Sequence, residues 1–237
     1  MGDTIGLKLI EKLKKDPEKL RGEDQYQLLE EYFNGLSIET LRDLLCYKDK
    51  RIRQTALWII TELGESAEDL LEEVASQIND EDPLICYYSS EMVAFYGTDK
   101  YMDDFMKVFD LFEHSNTKIR TLSMYIISQL SDSRIKEAYA YSVNNKILSD
   151  SHEKGLLSLI HINTLTSSDI TAMLNSDDSV IRKYGVIAAS KVYEKYPEII
   201  RESVNSEDLD VEEYSKSELR AKAKIEELHN RWRNRKH

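Results

Sequence analysis

Cysteine is nearly absent: Cys46 and Cys86 are the two copies in 237 residues, and neither sits at metal-ligand spacing. A disulfide framework and a zinc-finger arrangement are therefore excluded. Proline (3) and glycine (8) are also scarce, which favours long helices joined by short connections. No run of about 18 apolar residues occurs, so no membrane-spanning helix is expected. The first residues, with Lys8, Lys12, Lys14, Lys15 and Asp16, lack the apolar centre of a signal peptide, and no Asn-x-Ser/Thr sequon occurs. A cytoplasmic location is the expectation. Positive charge is in deficit too. The net charge of −12 disfavours nucleic acid and anionic membranes as partners, and favours a protein partner of neutral or basic character.

What the chain does have is a pattern that returns five times. A capping residue is followed three positions later by an aliphatic slot and four after that by a small residue. The caps are Asp49, Asp82, Asn116, Ser151 and Asp178, at separations of 33, 34, 35 and 27 residues. The aliphatic slots hold Ile52, Ile85, Ile119, Lys154 and Ile181; the small slots hold Ala56, Ser89, Ser123, Ser158 and Gly185. Three further positions per copy should face a core, and fourteen of the fifteen are apolar or Tyr, with His161 the exception. Each copy thus predicts a capped helix whose small residue admits a close neighbour. Gly64 and Gly97 fall where two of these helices should stop.

Shorter helices are expected between the copies, over 37–46, 67–78, 101–112, 135–148 and 168–174. No single hairpin can bury its own apolar face, so the copies must stack. The predicted architecture is an all-α, right-handed α-solenoid of about five helix pairs, forming a single domain over 1–237. Within it, 1–36 gives N-terminal cap helices separated at Asp16-Pro17, 37–196 the repeats, and 197–237 a linker and a basic C-terminal helix. The acidic stretch 207–213 is the expected flexible linker. Ala221, Ile225, Leu228 and Trp232 form the seam by which the last helix should cover the stack.

The segments 44–56, with Asp49 before Ile52-Arg53 and Ala56, and 175–182, with Asp178 before Ile181-Arg182, resemble HEAT repeats. In that family a turn Asp precedes a Val/Ile-Arg pair that opens the second helix. Arg53, Arg120 and Arg182 match the Arg, whereas Cys86 and Gly155 depart from it. The resemblance covers roughly 37–196 and implies an armadillo-like scaffold with the second helices on a concave side. A weaker resemblance, over 16–45 and 193–204, is to HEAT-type DNA-alkylation-repair proteins. Their Trp-x-x-x-Asp pair aligns with Ile85 and Ser89 here, so the carboxylate is missing, and that alternative implies a DNA-binding protein without catalysis.

Three rows on the second helices should point away from the core. They contain Trp58, Tyr87, Glu91, Tyr125, Ile160, Lys183 and Ile187, and only two charges among fifteen positions. Solvated helix faces are normally rich in Lys and Glu, so an apolar and aromatic row marks a partner-binding groove. The alternative is that curvature or a terminal cap buries the row.

No catalytic residue, cofactor or metal site is expected. Glycines are scattered, with no phosphate loop. His152-Glu153 resembles one His-Glu motif of HEAT-type di-iron hydroxylases, which need several; a solvated pair at a helix start is the expectation. Glu226 and His229 read as a surface pair, His161 as a core histidine, and Asp103, Asp104, Asp110 and Glu113 as an acidic outer face. Cys86 reads as an inert half-buried thiol. From Lys216 onward the chain carries net +5, leaving −17 on the remainder; Arg231, Arg233, Arg235 and Lys236 should complement a helix end and the acidic body. The expected function is a non-enzymatic protein-binding scaffold, in its narrower form an immunity protein that neutralises a basic bacterial toxin.

Overall fold

A computed structural model describes residues 3–19 and 22–234, and among them every regular element is helical. The chain divides into two compact units, Met1–Val108 and Phe109–His237. No described helix is long and apolar enough to cross a membrane.

The first unit contains α1 (Asp3–Lys15), α2 (Gly22–Phe33), α3 (Glu39–Leu45), α4 (Lys50–Leu63), α5 (Leu71–Ala75), α6 (Pro83–Tyr96) and most of α7 (Met102–Asp110). The caps behave as their residue types dictate. Asp49 accepts the Arg51 N–H at 2.9 Å, and Asp82 accepts the Leu84 N–H at 3.0 Å, with Pro83 in the first turn where its missing donor costs nothing. Gly64 ends α4 at φ +56°, and a Cβ there would lie 2.8 Å from the Tyr96 hydroxyl. Only glycine satisfies both demands. Ile52, Ala56, Ile59 and Ile60 of α4 and Ile85, Met92 and Val93 of α6 are buried where these two helices pack together, with α3 on α4 and α5 on α6 behind them. The expected helix over 67–78 is interrupted: a 3-10 segment, Gly64–Leu70, bends at Ala67 before α5 begins.

In the second unit the order is α8 (Thr117–Gln129), α9 (Asp132–Asn145), α10 (Asp150–Ile160), α11 (Ser167–Leu174), α12 (Ser179–Lys191), α13 (Pro197–Ser203) and α14 (Leu209–Asn234). Asn116 and Asp178 cap α8 and α12 as predicted. The fourth copy is displaced by two residues. Ser149, not Ser151, caps α10, while Ser151 donates a hydrogen bond to Asp178. His152 then takes the first buried slot, Leu156 follows it inside, and Lys154 and His161 face solvent. Gly155 is required by its neighbour, since a Cβ would fall 2.0 Å from the Tyr184 ring.

A sixth copy follows. Asp208 accepts the Asp210 and Val211 N–H groups at 3.0 and 3.4 Å, and Val211 and Ser215 occupy the aliphatic and small slots, both buried. The segment 207–213 is therefore the capped start of α14 rather than a flexible linker. Stacking in this unit is not a simple succession of neighbours: α12 is central and packs against α8, α10, α11, α13 and α14. Beyond its first turns α14 is exposed at Ala221, Ile225 (53%) and Leu228 (54%), so these three residues of the expected seam do not pack on the stack. The side chains of Trp232, Arg233, Arg235 and Lys236 lie outside the described residues.

The arginines that carry the repeat resemblance share one job. Arg53 donates to the Tyr47 and Lys48 carbonyls at 2.9 and 3.1 Å and to Asp80 at 3.0 Å. Arg182 donates to the Ser176 carbonyl and to Asp208, both at 2.7 Å. Arg120 donates to the His114 and Ser115 carbonyls and reaches Asp210 at 2.7 Å. Each guanidinium satisfies carbonyls of the turn after the preceding helix ends while binding a carboxylate from a later segment.

Candidate functional site

The helix face that carries the predicted row exists in both units, with different surroundings. In the first unit α4 presents Trp58 half-buried, and the edge of Tyr26 from α2 meets its ring at 5.3 Å and 83°. Tyr26 itself is 65% exposed. Pro17, Gln25, Leu84 and Tyr88 complete an open cleft of about 380 Å³ around this pair. Several of its polar groups are already engaged. Gln25 donates to Thr55 at 3.3 Å, Gln54 to Asp82 at 2.7 Å, and Arg51 to Glu18 at 2.5 Å. The aromatic surfaces are what the cleft offers to a guest.

Along the same face of α6, the Tyr87 hydroxyl donates to Glu91 at 2.9 Å, and Tyr87 and Tyr88 meet edge-on with centroids 5.4 Å apart. Burial raises the Glu91 carboxyl above its ordinary value; the Tyr87 hydrogen bond opposes the rise and the charge of Glu62 adds to it. Burial likewise raises the Tyr87 phenol, with Glu91 adding to the shift.

The second unit covers part of its share of the row. Tyr125 of α8 stacks on fully buried Tyr214 of α14 at 4.9 Å and 31°. Lys183 is 3% exposed, its ammonium 3.3 Å from Asp210, which Arg120 also grips; Ile187 is 0% exposed. Lys183 and Ile187 are thus interior residues rather than groove residues, because the sixth-copy helix lies over them. Ile160 is half-buried at the end of α10. Of the predicted row, Trp58, Tyr87 and Glu91 share a face in the first unit. Tyr26, Tyr88, Leu84 and Phe95 join them without having been anticipated.

The single-residue expectations separate in the same way. His152 is not solvated: it is 1% exposed, and its Nδ1 lies 3.1 Å from the Tyr184 hydroxyl in a box closed by Phe109 and Phe112. Burial depresses its pKa to about 4. Glu153 accepts a hydrogen bond from Ser142 at 2.9 Å. His161, expected in the core, is exposed. Burial pushes the Cys86 thiol up to about 11, so almost none is thiolate at neutral pH. Asp103, Asp110 and Glu113 are exposed, and Asp104 pairs with Lys107 at 2.6 Å. Glu226 is exposed, and the side chain of His229 lies outside the described residues. Ile85 and Ser89, aligned with the repair family's catalytic pair, are both buried. Among the described residues no three His, Cys, Asp or Glu side chains converge as a metal site. A hollow of about 450 Å³ between the α11–α12 and α13–α14 turns is lined by Arg182, whose donors Asp208 and Ser176 already occupy.

No family model and no curated protein matches the chain. Two crystal structures of engineered proteins align with it at 14% identity and a TM-score of 0.41. One alignment covers 91% of this chain and 67% of the other, the second 92% and 95%. Likeness at that level carries no argument about family or function.

Proposed function

We propose that the protein is a non-enzymatic, HEAT-like binding scaffold that holds a protein partner on the open aromatic face of its first unit. What supports this reading is the Tyr26–Trp58–Tyr88 cleft: three large aromatic rings line it where a solvated helix surface would carry charges, and Gln25, Gln54 and Arg51 are held by partners within the chain. Aromatic anchors in a preformed hollow supply most of the energy at protein interfaces. The narrower reading as a toxin-neutralising immunity protein requires a basic partner and draws on the net charge of −12.

The test uses the full chain as bait in two forms, wild type and Tyr26→Ala/Trp58→Ala, with circular dichroism melts to confirm that both are folded. A partner retained by the first and lost from the second is the expected result. The same partners on both baits would remove the assignment.

A further inference from the structure

The open face of the first unit also carries information about the chemistry of its guest, on the premise that it is the docking site proposed above. Leu84, Tyr88, Glu91 and Phe95 lie on one side of α6 at 4-3-4 spacing, and Trp58 and Glu62 lie one turn apart on α4, against which α6 packs. Leu84 and Phe95 are exposed, and Tyr88 and Glu91 half-buried. Two carboxylates thus stand in an otherwise apolar and aromatic surface. Among the described residues, neither has a Lys or Arg within ion-pair distance.

The second unit shows how such a row is filled. There α14 lies on α8 and α12, stacks Tyr214 on Tyr125, and brings Asp210 to the one buried cation of the row, Lys183. The row of the second unit offers a cation and receives an anion. That of the first unit offers an anion, Glu91, with a second carboxylate, Glu62, beside it on α4. We propose that the first unit takes a basic amphipathic helix of a partner protein, its apolar residues on Trp58, Leu84 and Phe95 and an Arg or Lys between Glu62 and Glu91 over the Tyr88 ring. A neutral or acidic guest would strip water from both carboxylates and return nothing, whereas a guanidinium pairs with them and stacks on the ring. Burial and the Glu62 charge already hold the Glu91 carboxyl above its ordinary value, and an incoming cation relieves that strain.

The probe is an alanine-based helical peptide with Leu and two Arg on one face, fluorescently labelled, compared with the same peptide carrying neutral citrulline for Arg. Binding to the full chain is read by anisotropy at about 50 and 150 mM salt. The arginine peptide should bind at least about tenfold more tightly than the citrulline peptide, and Glu62→Gln/Glu91→Gln should erase about that factor. A control removing equal charge from exposed positions of the same unit, Glu65→Gln/Glu68→Gln, should change affinity less than about twofold, because screening weakens remote charges. No binding of the arginine peptide, or equal loss in both charge variants, overturns the proposal. If both peptides bind equally and Tyr26→Ala/Trp58→Ala abolishes both, the face is a docking site but not a cation seat. If binding survives that aromatic variant, the docking site falls as well.

Discussion

Two copies of the same helix face meet opposite fates in this chain. On α12 it is buried beneath α14, which also stacks on half-buried Tyr125 of α8; on α4 and α6 no such later helix lies on it among the described residues, and Tyr88 and Trp58 stay half in water. The residues differ less than the setting does, since Tyr125 and Trp58 occupy equivalent positions. Whether such a row is interior or interface is decided by which later segment folds back on it.

The contrast should be visible in stability. Asp210→Ala strands the Lys183 ammonium, 3% exposed, and leaves Arg120 without its carboxylate, so a loss of about 3–5 kcal/mol is expected in urea melts. Glu91→Gln on the open face should be neutral or slightly stabilising. Equal losses in the two variants would mean that the first face is as closed as the second.

Acid should act in opposite directions on the two regions. His152 is neutral in the folded state with a pKa of about 4, against 6.5 when unfolded, so between those values the unfolded chain binds more protons. Stability is full above pH 6.5 and falls as pH drops towards 4, by a total on the order of 3 kcal/mol. His152→Gln should flatten that dependence in melts at pH 7 and 4.5. Glu91, raised above its ordinary value, has the reverse sign: protonation favours the folded state, so its contribution grows as pH falls through the native value. Unchanged pH dependence in the His152→Gln protein would show that the imidazole is not the group responsible.

Gly155→Ala places a methyl 2.0 Å from the Tyr184 ring and should cost about 1–3 kcal/mol through overpacking. The smallest effect is expected on the exposed seam of α14, where Ile225→Ser/Leu228→Ser should change stability by less than about 0.5 kcal/mol. A large effect there would mean that the seam is covered in solution.

Much of the architecture can be read from letters alone, because helix starts advertise themselves. Asp49, Asp82, Asn116 and Asp178 each cap the helix expected of them. The fourth copy misleads, since Ser149 and Ser151 are both plausible caps and only the tertiary demand of Tyr184 for Gly155 selects between them. The sixth is hidden by its acidity: Asp208-Leu209-Asp210 looks like solvated tether until Asp208 is seen capping α14 and Asp210 binding Lys183. At the site, Trp58, Tyr87 and Glu91 follow from helical spacing. Tyr26 does not, because α2 approaches α4 through folding rather than periodicity. Burial of the row by a terminal cap is an alternative the sequence leaves open; that it falls on Lys183 and Ile187 is settled only by α14, which begins at Leu209.

The pairing of Arg120 with Asp210 has a consequence for synthesis. Arg53 finds Asp80 after 27 residues, whereas Arg120 waits 90 for its partner. On a ribosome the first unit can knit as it emerges, while in the second Arg120 and Tyr125 must wait for Asp210 and Tyr214 to follow. Any chaperone that attends this protein during translation has its work in that interval.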